Sequence, residues 1–147
     1  MRHEDKPPPE PLASAPGFLL SWNGQRIARK FAEALEPLGL RPPHFGVLTL
    51  IDASPGSAQR ELVERSMIDA STMVAVIDDL EERGLAERRP DPADRRRRAV
   101  YLTPQGRRAL ERGRKAAIAT AQDVFGPLDE RELATFTKLM RKIAGAE

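Results

Sequence analysis

The sequence predicts a mainly α fold with one small β-hairpin, in the order α-α-α-α-β-β-α-α. Three observations predict it. Apolar residues recur at the helical period along most of the 147 residues. The period drops to two only once, directly after Gly84. Glycines and prolines stand where these patterns break.

The stretch "FLLSWNGQRIARKFAEALEPLGL" reads as the first helix, with Leu20, Ile27, Phe31 and Leu35 near the helical period. Gly39 and the pair Pro42 and Pro43 punctuate its end. The next helix, "PHFGVLTLIDAS", is apolar nearly all round, which marks a central, buried element. A turn at "SPG" leads into a short helix over 58–66. The helix over 70–83 carries Met73, Val76, Ile77 and Leu80 as its buried stripe, and Gly84 stops it. Two helices joined by so short a connection have helix-turn-helix spacing.

After Gly84, "LAERRP" and "RAVYLT" read as strands on either side of "DPADRRR", with Leu85, Val100 and Leu102 turned to the core. An arginine-rich hairpin at this place has the shape called a wing. Thr103 then caps a long helix whose first residue is Pro104. That helix runs to about Phe125, and "GPLDE" breaks it. A last helix over 129–144 presents Leu133, Phe136, Met140 and Ile143.

Composition removes several function classes. There is no cysteine, hence no disulfide scaffold, no Cys-ligated zinc and no thiol switch. Two histidines, His3 and His44, do not make a His-built metal site. No paired-His motif or Gly-rich phosphate loop appears, and the carboxylates of "DDLEERG" suit i,i+4 surface pairs. Neither a cofactor nor catalysis is expected. No apolar run approaches the roughly 20 residues of a membrane span. The Pro-rich start, "MRHEDKPPPEPLASAPG", lacks the apolar centre of a signal peptide. It reads as a flexible arm over 1–16, and a cytoplasmic protein is expected.

Charge is distributed unevenly. Residues 83–115 hold 12 basic and 4 acidic side chains, a net +8, and the rest of the chain carries −6. Such asymmetry predicts a polyanion-binding face on an otherwise acidic body. A duplex major groove admits an α-helix, and an arginine-bearing loop fits the adjoining minor groove. Helix-turn-helix followed by a basic hairpin therefore points to double-stranded DNA. Ser57, Gln59 and Arg60 open the short helix, where backbone phosphates are the expected contacts. As a plain helix cap, Ser57 has a second reading compatible with the first. Ser71, Thr72, Val74 and Ala75 lie on the outward face of the next helix. The hydroxyls suit base edges or phosphates, and Val74 or Ala75 suits a thymine methyl. Long donors are few here, so specificity is expected to lean on DNA shape and on the wing.

These residues resemble the MarR family of winged helix-turn-helix transcriptional regulators. "DPADRRRRAVYLTPQG" is similar to the family signature through Asp94, Arg96, Leu102 and Thr103, and "LEERGLAERR" is similar to its preceding segment. The resemblance covers about residues 17–145. It implies a homodimer whose terminal helices interlock and whose two winged helices bind a pseudo-palindromic operator, most simply as a repressor. By matched position, Asp94 would brace the wing and Arg96 would contact DNA at or near its tip. Arg89, Arg95, Arg97 and Arg98 are further candidates for phosphate or minor-groove contact. The division implied is a DNA-binding unit over 41–103 between dimerisation helices over 17–40 and 104–147. The homodimer also has a basis in the residues themselves. The first helix and the last two carry apolar stripes that a small winged helix does not bury alone. For a small aromatic or amphipathic effector, as the family binds, Trp22, Arg26, His44, Phe45 and Leu48 are the candidate lining. The simpler reading of His44 is a helix-start or packing residue, and that of Trp22 is core or dimer interface. Two other readings stay open at this point. One is a DNA-binding regulator without effector, controlled by a protein partner. The other is a winged helix used for protein interaction.

Overall fold

The computed structural model describes residues 6–146, so the first five residues of the N-terminal arm and the last residue lie outside it. Six α-helices and three strands follow in the order α1 (Pro16–Leu35), α2 (Pro42–Ala53), β1 (Ser57–Ala58), α3 (Gln59–Glu64), α4 (Ala70–Glu82), β2 (Ala86–Asp91), β3 (Asp94–Leu102), α5 (Pro104–Phe125) and α6 (Glu130–Ile143). Short 3-10 turns precede α1 (Leu12–Ser14) and follow it (Glu36–Leu38). The first of these gives the later part of the expected arm local structure, with the Ser14 hydroxyl donating to Glu10 at 2.8 Å. No helix among the described residues is long and apolar enough to cross a membrane.

The sheet has the order β1-β3-β2, antiparallel throughout. Two features differ from the expected hairpin. A third strand, β1, pairs Ser57 with Val100 and Ala58 with Ala99. Two residues are too few to display a period. The hairpin is also tighter than expected, because Asp91 pairs with Asp94 and leaves a two-residue turn. Asp91 accepts the Ala93 N–H at 2.9 Å and Asp94 accepts the Arg96 N–H at 3.0 Å, bonds by which an aspartate closes a turn on its own backbone. Arg95, Arg96, Arg97 and Arg98 consequently lie in β3 and not in a loop.

One core joins these elements. Val47, Leu48 and Ile51 of α2, Leu62 of α3, the predicted stripe of α4, Ala86, Val100, Leu102 and Leu110 of α5 are all buried together. Each large side chain contributes roughly 2 kcal/mol by leaving water. α4 is fixed at both ends. At its start Asp69 accepts the Thr72 N–H at 2.8 Å. That bond, with the Ser71 and Thr72 hydroxyls, holds the Asp69 carboxyl down at about 2. At its end Gly84 takes a left-handed φ of 71°. The Gly84 N–H then reaches Glu81 O at 3.0 Å and the Leu85 N–H reaches Leu80 O at 2.8 Å, the paired bonds of a Schellman stop.

The start of α5 is joined to this same stop. The Thr103 hydroxyl donates to Gly84 O at 2.6 Å and accepts the Gly106 N–H at 3.0 Å, while the Thr103 N–H reaches Leu85 O at 3.1 Å. Gly106 is required here, because a Cβ on it would stand 1.8 Å from the Leu85 carbonyl oxygen.

His44 couples α2 to α4 and is almost fully buried. Its Nδ1 accepts the Arg41 N–H at 2.9 Å, so the proton is assigned to Nε2, which donates to Asp79 at 2.6 Å. Arg83 pairs with the same carboxylate at 3.1 Å and donates to the Gly39 carbonyl. Burial lowers the His44 pKa and outweighs the upward pull of the Asp79 bond, with Arg83 and Arg41 adding to the lowering. Burial of Asp79 works upward, but the bonds from His44 and Arg83 leave its pKa lowered. Elsewhere Phe45 meets Phe31 edge-on at 5.2 Å, and Lys30 and Arg114 pair with Asp123 and Asp52, each at 2.8 Å.

Both the α4–α5 joint and the His44 site are open to measurement. Gly106→Ala should cost about 3 kcal/mol of unfolding free energy in urea, the upper end of overpacking penalties, because the obstructing atom is backbone. A loss below about 0.5 kcal/mol would show that the α4–α5 joint is slack. At His44 the variable is acid. The unfolded chain takes up a proton there near pH 6.5, and the folded chain only at a lower pH. Stability from this site is then complete above about pH 6.5 and is lost as pH falls below it. Urea midpoints should drop between about pH 7 and about pH 5.5, and His44→Gln should flatten that drop.

Candidate nucleic-acid interface

The basic residues of 83–115 do not form one uniform patch. β3 is irregular near the turn, where the register shifts between Pro90 and Asp91, and the consecutive Arg96, Arg97 and Arg98 turn toward one cleft together with Val100. With Arg88, Ala58, Gln59 and Arg60 they line this cleft, of about 380 Å³, between α3 and the sheet. Within this group the arginines divide by partner. Arg88 is mostly buried and reaches Asp78 at 2.7 Å, Glu81 at 3.4 Å and Gln59 at 3.2 Å. It thereby ties β2 to α3 and α4. Arg97 reaches Glu61 at 2.7 Å and Asp91 at 3.4 Å. Arg89 lies 4.6 Å over the Tyr101 ring and pairs with Glu87. The guanidinium groups of Arg95, Arg96 and Arg98 have no ion-pair partner among the described residues, and all three are exposed.

The expected site residues are placed as follows. Arg60 is highly exposed and pairs with Glu64 at 3.1 Å. Gln59 is turned toward Arg88. Ser57 is buried in β1, and its hydroxyl donates to Ser54 O at 2.8 Å and accepts from Arg65. It neither caps α3 nor faces solvent, because pairing with Val100 turns it inward. Ala58 holds the cap position, and its N–H goes to Glu61 at 3.1 Å. Ser71, Thr72, Val74 and Ala75 are all exposed on α4. Asp94 bonds the Arg96 backbone at the turn and so closes the hairpin. Arg88 is the charged member of the cleft that sequence reasoning misses. Its signal is its strand position, opposite Val100 and so on the side of the helices.

The five candidates for effector contact do not converge. Leu48 and His44 belong to the interior, and Phe45 packs between Phe31 and Gly113. Trp22 and Arg26 do share a cleft, of about 270 Å³, with Leu19, Asn23, Lys6 and two prolines of the arm. Trp22 also stacks near Phe18 at 5.8 Å.

Away from the basic cleft, α6 stands nearly unsupported. Leu133, Phe136, Leu139 and Ile143 are all exposed on it. Within the chain, Phe136 meets Phe125 at 5.5 Å.

Known proteins match both sequence and fold. The MarR family profile matches residues 38–97. A putative transcriptional regulatory protein for the hcr operon of Thauera aromatica is 33% identical over 133 residues, covering 90% of this chain and 80% of that protein. CouR from Rhodococcus jostii RHA1, solved with p-coumaroyl-CoA, superposes with a TM-score of 0.79 at 31% identity, covering 92% of this chain and 96% of CouR. The transcriptional repressor CouR on a 23-mer DNA duplex superposes with a TM-score of 0.83 at 31% identity, covering 95% and 99% of the two chains. With its basic wing, its helix-turn-helix and these matches along nearly its whole length, the chain belongs to the MarR family of winged helix-turn-helix transcriptional regulators.

Proposed function

We propose that this protein is a homodimeric transcriptional repressor that binds a pseudo-palindromic duplex operator and is released by a small aromatic or amphipathic effector. It acts by binding, not catalysis. The observation that carries DNA binding is the set of uncommitted guanidinium groups of Arg95, Arg96 and Arg98 on the wing. In this reading α4 enters the major groove, the wing reaches the flanking minor groove, and Arg60 contacts phosphate. The unit over 41–103 binds DNA, and the helices over 17–40 and 104–147 dimerise. Support for the dimer comes from the apolar stripe of α6, where Leu133, Phe136, Met140 and Ile143 repeat at coiled-coil spacing and all but the half-buried Met140 are exposed. The CouR complexes lend support to the operator and to the aromatic effector. The cleft of Trp22 and Arg26 offers an aromatic face and a cation to such a ligand. An effector releases DNA only by binding the released spacing of the two α4 helices more tightly than the DNA-bound one.

Duplex binding tests this reading directly. A fragment containing the natural promoter should bind with a steep dependence on salt. Changing Arg95, Arg96 and Arg98 together to Ala should lower the slope of log K against log salt by about 0.9 for every phosphate no longer neutralised. Absence of duplex affinity at low salt would sink the reading and leave the protein-interaction alternative. The dimer is tested by sedimentation equilibrium. Ile143→Glu, at an exposed position of the stripe, should raise the dimer dissociation constant roughly a hundredfold by burying a charge in an apolar seam. A monomeric wild-type chain at micromolar concentration would overturn the dimer.

A further inference from the structure

We infer that α4 reads thymine through its methyl group, with Val74 as the residue that sets this specificity; the inference rests on the DNA-binding reading above. α4 has the sequence ASTMVAVIDDLEE, with no Arg, Lys, Asn or Gln in its 13 residues. Its side-chain donors are therefore two hydroxyls. Both protons are already committed, Ser71 donating to Asp69 at 2.7 Å and Thr72 donating to Asp69 at 2.8 Å. The two acids nearest this face are committed as well, and Glu81 and Glu82 lie at the far end of the helix. Asp78 is held by Arg88 at 2.7 Å, and Asp79 is turned to His44 at 2.6 Å.

What remains outward on the first two turns is Ala70, Val74, Ala75 and the lone pairs of two hydroxyl oxygens. Val74 is the large apolar group among them, and it is 38% exposed. The major-groove edges of the four base pairs offer this surface very different partners. Guanine presents two acceptors, N7 and O6, and meets no free donor. Pressed against Val74 and Ala75 these atoms lose water and gain nothing, which is costly. Thymine presents a methyl group, the one apolar feature of the groove, and its partner adenine presents an amino group that a hydroxyl oxygen accepts. A face made of valine, alanine and proton-spent hydroxyls therefore selects A·T pairs by elimination as well as by contact. Hydrogen-bonded readout by long side chains, the usual route, is closed to this helix.

The test uses the full chain and a duplex enriched from a random library. Each thymine of the enriched half-site is replaced in turn by deoxyuridine, which keeps pairing and removes only the methyl. Affinity should fall about four-fold at one or two positions per half-site, the factor given by burial of one methyl-sized group. Cytosine at such a position should weaken binding, and 5-methylcytosine should restore part of the loss. In Val74→Ala, which alters an exposed position and keeps a good helix former, the thymine-over-uracil ratio should approach one. Uracil duplexes that all bind within twofold of the parent would overturn the inference while leaving DNA binding intact. An unchanged ratio in Val74→Ala would overturn the assignment to Val74. If no duplex is enriched, the DNA-binding reading falls and this one with it.

Discussion

Four side chains of α4, Met73, Val76, Ile77 and Leu80, are buried against α2 and the small sheet, and this burial fixes the rotation of the helix about its own axis. Thirteen residues are too few for a stable helix in water without such packing. Once the stripe is seated, the outward residues have no choice of direction. The caps then fix the helix along its length, Asp69 at one end and the left-handed Gly84 at the other. The Asp79–His44 bond ties its flank to the start of α2. The outward face of α4 is thus a by-product of core geometry.

Electrostatics follow the same division between structure and surface. Arg88 and Arg97 are consumed by carboxylates of neighbouring elements and hold α3, α4 and the sheet in register, while Arg83 pairs with Asp79 one turn back along α4. Pairs this exposed contribute little stability each. One of these arginines, Arg88, also neutralises the acidic side of α4 at Asp78 and Glu81. The net +8 of this third of the chain is therefore not all available to a partner. Some of it cancels charge inside the winged unit, and Arg95, Arg96 and Arg98 carry the outward field.

Most of the fold is legible in the sequence because strong periods and strong stops coincide. The stripe of α4, the stop at Gly84, the cap at Thr103 and the breaks around α5 all stand as the sequence predicts. β1 is not legible, since a two-residue strand exists only through its partner Val100. The tight turn at Pro92 and Ala93 is hidden by the charge of its neighbours. Arginines read as loop residues, yet the two aspartates close the turn, Arg98 pairs with Pro90, and Arg95 to Arg97 lie in β3 at a break in the register. At the interface, composition identifies the exposed face of α4 but not the inward turn of Ser57, which depends on strand pairing. The expectation of an effector site lined by the first two helices groups His44 and Leu48 with Trp22. Helical rotation carries them into the core instead, as the apolar surround of α2 implies.

The joint at Gly84, Leu85, Thr103 and Gly106 has a mechanical meaning. Here the end of α4, the root of the wing and the start of α5 meet within hydrogen-bond distance, with no spare residue and no room for a side chain. These shared bonds tie helix and wing together on the shaft of α5, so a tilt of the shaft is passed to both at once. A signal passed along α5 would be expressed as a change in where helix and wing point, and small angles at the base of a 22-residue helix become large displacements at the wing.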